Sequence, residues 1–127
     1  MKKLILISLS LLISTYSTSF WGGTTPNLDG SWFISPSETL KANKEMGIDI
    51  PRKYYVRILK SSKEQRYEFE NDFVSIYEKG KIGDGCLLNE SKTTMECKRL
   101  TFKIFKNAKY IYLKADEIKY RLALEKR

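Results

Sequence analysis

The sequence predicts an all-β fold, an eight-stranded antiparallel up-and-down barrel with one short helix after its first strand. Three observations carry this reading. From Tyr54 onward, runs rich in Tyr, Phe, Ile and Val follow one another with short polar turns between them. The last run alternates, with Ile118, Tyr120, Leu122 and Leu124 on one parity and Lys119, Arg121, Ala123 and Glu125 on the other, the period of a half-buried strand. Two neighbouring strands also carry places to bend, Gly83 with Gly85 in one and Lys98-Arg99 in the next, which suits a sheet curling toward closure.

The chain opens with a predicted secretory signal peptide over residues 1–19. Lys2 and Lys3 precede an apolar run from Leu4 to Ile13, and Ser17-Thr18-Ser19 supplies small residues for cleavage before Phe20. That run is short of the about twenty residues that a spanning helix needs. No cysteine follows it for lipid attachment. The expectation is a soluble exported protein, periplasmic or secreted, with residues 20–127 forming a single barrel domain around one modest core.

The first strand is Ser31 to Ile34. Ser35-Pro36-Ser37-Glu38 matches a capping box with proline at the first helical position, and Gly47 suits the far end, so a helix is expected over Pro36 to Met46. Its apolar face is thin, and it is placed as a lid over one end of the barrel. The later strands are then read as Tyr54–Lys60, Arg66–Glu70, Asp72–Glu78, Lys81–Leu88, a long sixth strand from Thr93 to Phe105, Tyr110–Lys114 and Ile118–Lys126. In the sixth strand Met95 and Cys97 share one parity, and Leu100, Phe102 and Ile104 the other, so a bulge at Lys98-Arg99 is needed to bring both sets to one side. A cystatin-like roll, with the helix across an open curved sheet, is the architectural alternative.

Cys86 and Cys97 are the only cysteines. In an oxidising compartment a disulfide is the default for such a pair. A turn at Ser91-Lys92 sets them opposite one another, and a bridge closing that loop stabilises by about 3 kcal/mol in the chain-entropy model. Neither a C-x-x-C motif nor a histidine is present to activate a thiol.

Catalysis finds little support in the residue types. With no histidine and paired cysteines, nucleophile and base candidates reduce to carboxylates, lysines and hydroxyls. No carboxylate pair shares an inward face and no cluster has metal-ligand spacing. The glycines of "GKIGDG" turn between two strands rather than opening a helix, so a phosphate loop is excluded. The expectation is a protein that is not an enzyme and carries neither cofactor nor metal.

Charge is unevenly placed along a chain of net +8. Residues 20–97 carry 11 Lys and Arg against 12 Asp and Glu, whereas residues 98–127 carry 10 against 3. With Ile111 and Leu113 facing in, Arg99, Lys103, Tyr110, Tyr112, Lys114, Lys119 and Arg121 face out together, a basic and aromatic surface for an anionic partner. With Tyr110 and Tyr112 facing in, the same stretch is a solvated face. Envelope lipids, acidic glycans and acidic proteins are the partners available to an exported chain; nucleic acid is not expected.

Gly30-Ser31-Trp32 at the head of the first of eight strands resembles the calycin barrels, the lipocalin-like superfamily. There the tryptophan closes one end of the barrel against a basic residue of the final strand, which implies Arg121 or Arg127 as its partner here. Gly30, Trp32, Ser37 and Glu38 also echo the start of the intracellular fatty-acid-binding proteins. Those have ten strands and two helices, and an Arg-x-Tyr clamp where this chain has Arg121-Leu122-Ala123. The small periplasmic metalloprotease inhibitors are similar in size, export signal, single disulfide and the opening Leu28-x-Gly30-x-Trp32.

Two functions follow as expectations. In the first the protein is a small exported binding protein. It holds an apolar molecule in the barrel interior (Trp32, Tyr54, Phe69, Phe102 and Tyr120 as candidate lining) or docks an acidic envelope component through the basic face. The inward set also includes Val56, Ile58, Tyr67, Leu100, Ile104 and Leu122, and its large side chains favour a filled barrel. In the second it inhibits an exported hydrolase of the protease or lysozyme type, with Phe20 to Asn27 as an inserting arm.

Overall fold

A computed structural model describes residues 27–127; the predicted signal peptide and the arm up to Pro26 lie outside the described residues. The chain runs β1 (Gly30–Ile34), α1 (Pro36–Glu45), α2 (Arg52–Glu64), β2 (Gln65–Glu70), β3 (Phe73–Glu78), β4 (Lys81–Leu88), β5 (Thr94–Glu96), β6 (Thr101–Lys106), β7 (Tyr110–Ala115) and β8 (Leu122–Lys126). Each strand pairs antiparallel with the next, and β1 pairs with β8, closing an eight-stranded up-and-down barrel. Closure excludes the open roll.

The strand count is as expected, but two of its members differ. Tyr54–Lys60 is not a strand: it lies within α2, so the barrel carries two helices rather than one. Alternation and helical periodicity both put Tyr54 and Ile58 on one face, and only Val56 tells them apart. Val56 is 55% exposed while Ile58 is buried, the outcome of a 3.6-residue repeat. The lost strand is replaced because the long sixth strand divides. The chain reverses after Glu96, with the Cys97 amide donating to the Leu100 carbonyl, so a turn stands where a bulge was expected. Met95 then lies directly opposite Phe102, which brings the two parities to the same inward face. The bend in β4 is a bulge, since Ile76 pairs with Asp84 and Tyr77 with Ile82, leaving Gly83 as the extra residue. The last strand begins at Leu122; Ile118 to Arg121 form a loop.

Helix α1 forms as its residues dictate. Ser35 caps it by accepting the Glu38 amide at 3.3 Å, and Pro36 occupies the first turn. The other half of the capping box is not made, because the Ser35 amide donates to the Ala123 carbonyl and the Glu38 carboxylate accepts from Tyr112. Nor is α1 a lid. It lies along β8 beyond the end of β1, where Thr39 and Asn43, both fully buried, bond the strand backbone. The Asn43 amide accepts the Arg121 N–H at 2.8 Å and donates to the Arg121 carbonyl at 2.7 Å, and Thr39 does the same for Ala123 less tightly. Two side chains of a helix thus satisfy a strand edge that β1 is too short to reach.

The core inside the barrel is built from Trp32, Ile34, Tyr67, Phe69, Val74, Cys86, Leu88, Met95, Ile104, Ile111, Leu113 and Leu124, joined by Ile58 from α2 and Leu28 from the segment before β1. Cys86 and Cys97 form the disulfide, with their Cα atoms 4.3 Å apart, in the register that a turn at Ser91-Lys92 demands. Lys92 takes up the left-handed conformation of that turn, and Asn89 accepts the amides of Thr93 and Thr94. Among the described residues no helix is long and apolar enough to cross a membrane.

Candidate functional site

The two ends of the barrel are closed differently. At the end where β1 starts and β8 finishes, Trp32 is buried with its indole N–H donating to the Leu28 carbonyl at 2.8 Å and its ring edge-on to Phe69. The cation over the Trp32 ring is Lys126, at 5.8 Å, and neither Arg121 nor Arg127. Arg127 lies over Phe33 on the outer face, and Arg121 lies over Phe105 and Tyr112. Gly30 explains the first position of the motif. Its φ of +130° suits glycine alone, and a Cβ there would stand 2.5 Å from the Lys126 side chain that crosses it. Trp32 and Phe69 therefore plug this end of the barrel, and Phe69 also backs an open cleft with Arg66, Glu68, Phe73 and Tyr77.

The opposite end carries both helices, and the candidate lining residues Tyr54, Phe102 and Tyr120 gather there. They surround a mainly apolar cavity of about 140 Å³ with Ile58, Leu113, Ile118 and Leu122. Tyr54 and Tyr120 pack edge to face at 4.7 Å, which ties α2 to the loop before β8. Phe102 also borders a wider groove of about 460 Å³ with Ile76, Asp84, Lys98, Arg99 and Leu100. A drug-sized ligand needs roughly 300–1,000 Å³ of enclosure, so the inner cavity admits about one aromatic ring.

Asp84, Cys86 and Cys97 bring their side-chain ligand atoms within 4.8 Å of one another. Both sulfurs are committed to the disulfide, so this cluster offers a cation a single carboxylate.

The expected anionic-partner face divides. Ile111 and Leu113 are buried, so Tyr110, Tyr112 and Lys114 point outward, and Lys103 stands directly opposite Lys114. Phe105 pairs with Tyr112, and Arg121 covers both rings at 4.8 and 5.9 Å. These residues form one surface on β6, β7 and the end of the loop before β8. Arg99 and Lys119 do not join it; they occupy the turn before β6 and the loop before β8, at the helix-bearing end. Tyr112 is also tied inward, its hydroxyl donating to Glu38 at 2.8 Å and accepting from Asn107 at 3.0 Å. Burial first, and then that bond to a carboxylate, raise its pKa above the usual tyrosine value of 10.0.

The basic residues of α2 were not singled out by sequence. Arg52, Lys53, Arg57, Lys60 and Lys63 are all exposed on one helix whose only acid is Glu64. The signal was present as a five-cation run, but the charge sum over residues 20–97 hid it among acids that fold elsewhere. Comparison of the chain with protein-family models, curated proteins and solved structures finds no match in any of the three.

Proposed function

We propose that this is a small exported binding protein without enzymatic activity, which docks an acidic envelope component on the outer face of β6, β7 and the end of the loop before β8. The observation that carries the reading is the juxtaposition of Lys103 with Lys114 beside Arg121, Phe105 and Tyr110. None of the three cations is in an ion pair among the described residues, although the Lys114 ammonium also donates to the Ala115 and Ile118 carbonyls. Cations left without carboxylates attract anions, and flanking aromatic rings add stacking and hydrogen bonding. The disulfide supports an oxidising compartment, and with it the leader read in residues 1–19. The calycin resemblance remains part of this proposal. The eight-stranded closure and the Lys126–Trp32 contact support it, and the second helix removes one difference from the fatty-acid-binding proteins.

The test uses polygalacturonate as a soluble acidic polymer and follows binding at two salt concentrations. The parent protein should bind more weakly as salt rises, and Lys103→Gln with Lys114→Gln should weaken binding about tenfold, while a parent that ignores the polymer at low salt contradicts the reading.

The cavity favours a second reading, in which the helix-bearing end holds a small apolar molecule. A cavity of about 140 Å³ lined by Tyr54, Phe102 and Tyr120 suits a single ring. Native mass spectrometry of protein taken gently from its own compartment should then show an extra mass, and Leu113→Phe, which fills the space, should abolish it.

A further inference from the structure

We propose that the solvent face of α2 seats the protein on an anionic lipid surface. Helical spacing puts Arg52, Lys53, Lys60 and Lys63 around Val56 on the face opposite the buried Ile58, with Arg57 and Leu59 at its flanks. Val56 is 55% and Leu59 38% exposed, and none of the five cations is in an ion pair among the described residues.

This arrangement works against the helix itself. Arg52 and Lys53 occupy the first turn, where the helix dipole is already positive and where no acid and no side-chain cap is present. Lys53 with Arg57, Arg57 with Lys60, and Lys60 with Lys63 are like charges three or four residues apart, each pair mildly destabilising. A face that lowers local stability while exposing aliphatic side chains is explained by a partner that satisfies both features. Anionic headgroups neutralise the cations, and the boundary beneath them takes Val56 and Leu59. A soluble acidic polymer offers only the first of these. The adjoining α1 exposes Leu40, and Met46 at its end is exposed as well.

This surface is separate from the strand face, and the experiment keeps the two apart. The chain from residue 20 onward contains the whole barrel, both helices and the disulfide, and it omits the apolar leader, which would bind lipid by itself. Its sedimentation is measured with vesicles of equal phosphatidylglycerol and phosphatidylcholine, and with phosphatidylcholine alone. Binding is expected only to the anionic vesicles and should fall with salt. Lys53→Gln, Lys60→Gln and Lys63→Gln together should weaken it about a hundredfold, roughly fivefold for each cation removed. The same triple variant should melt at an unchanged or higher temperature, because it relieves like-charge repulsion. Val56→Asp should weaken vesicle binding without affecting the fold, and Lys103→Gln with Lys114→Gln should weaken it much less than the triple variant does. Absence of binding to anionic vesicles, or a triple variant that binds like the parent, overturns the proposal. So does a Val56→Asp protein that binds as tightly as the parent and is fully displaced by polygalacturonate, which would assign the face to an acidic polymer.

Discussion

Asn43 is where one side chain decides how an element sits. Its amide makes both hydrogen bonds that a neighbouring strand residue would give Arg121, and it donates to the Thr39 carbonyl as well. Asn43 and Thr39 are themselves fully buried. Asn43→Ala leaves a backbone N–H and a carbonyl of the loop before β8 without partners, at a cost of about 3 kcal/mol by the usual penalty for buried unsatisfied groups. Urea denaturation should read that loss, and hydrogen exchange should find the Arg121 amide newly labile. Asparagine inside a predicted helix is an ordinary polar residue to a sequence reader. Its partner is 78 positions away, so nothing local marks it.

Among elements, α1 and α2 divide the legible from the hidden. Ser35 and Pro36 announce α1 through contacts within four residues, and the helix begins where they place it. Residues 54–60 carry Tyr, Val and Ile in a strand-like order, yet Arg52 to Glu64 form a helix, because β1 pairs directly with β2 and leaves no edge for another strand. β-propensity there yields to tertiary pairing. The disulfide hairpin is the opposite case, since turn chemistry and alternation set its register within a dozen residues. Cys86→Ser with Cys97→Ser should lower stability by about 3 kcal/mol, the loop-closure value, and guanidinium denaturation with and without reductant checks it. Reductant should affect the parent alone.

For the whole molecule, closure around large side chains buries the groups inside the barrel, and Tyr67 reports this. Burial first, and then the charge of Glu78, raise its pKa far above the usual 10.0. A folded-state pKa raised in this way contributes stability that is fully present below pH about 10 and is lost as pH climbs toward the folded value. The urea midpoint should hold steady from neutral pH to about 9.5 and fall beyond it. Tyr67→Phe should flatten most of that fall, while Tyr112, also raised, accounts for a smaller remainder. A barrel with room for no more than one ring also shifts attention from its contents to its surface. Of the five candidate lining residues Tyr54, Phe102 and Tyr120 border the apolar cavity at the helix-bearing end, whereas Trp32 and Phe69 are packed against each other and Phe69 borders a separate, open and more polar cleft with Arg66, Glu68 and Tyr77.

Read alone, the sequence determined whatever rests on contacts a few residues apart: α1 and its N-cap, the runs that become β2, β3, β4 and β7, and the cysteine hairpin; which parity of β7 faces out, it left to the structure. It pointed to eight strands with an open roll as the alternative, and the closed barrel that forms uses a different set of eight. Only the tertiary structure decided the helical state of residues 52–64, the reversal after Glu96, the choice of Lys126 as the cation over Trp32, and the gathering of five basic residues on one solvent face. The physical reason is common to all four. Each depends on which distant segment occupies the neighbouring space, and a barrel assigns that only when its first and last strands meet.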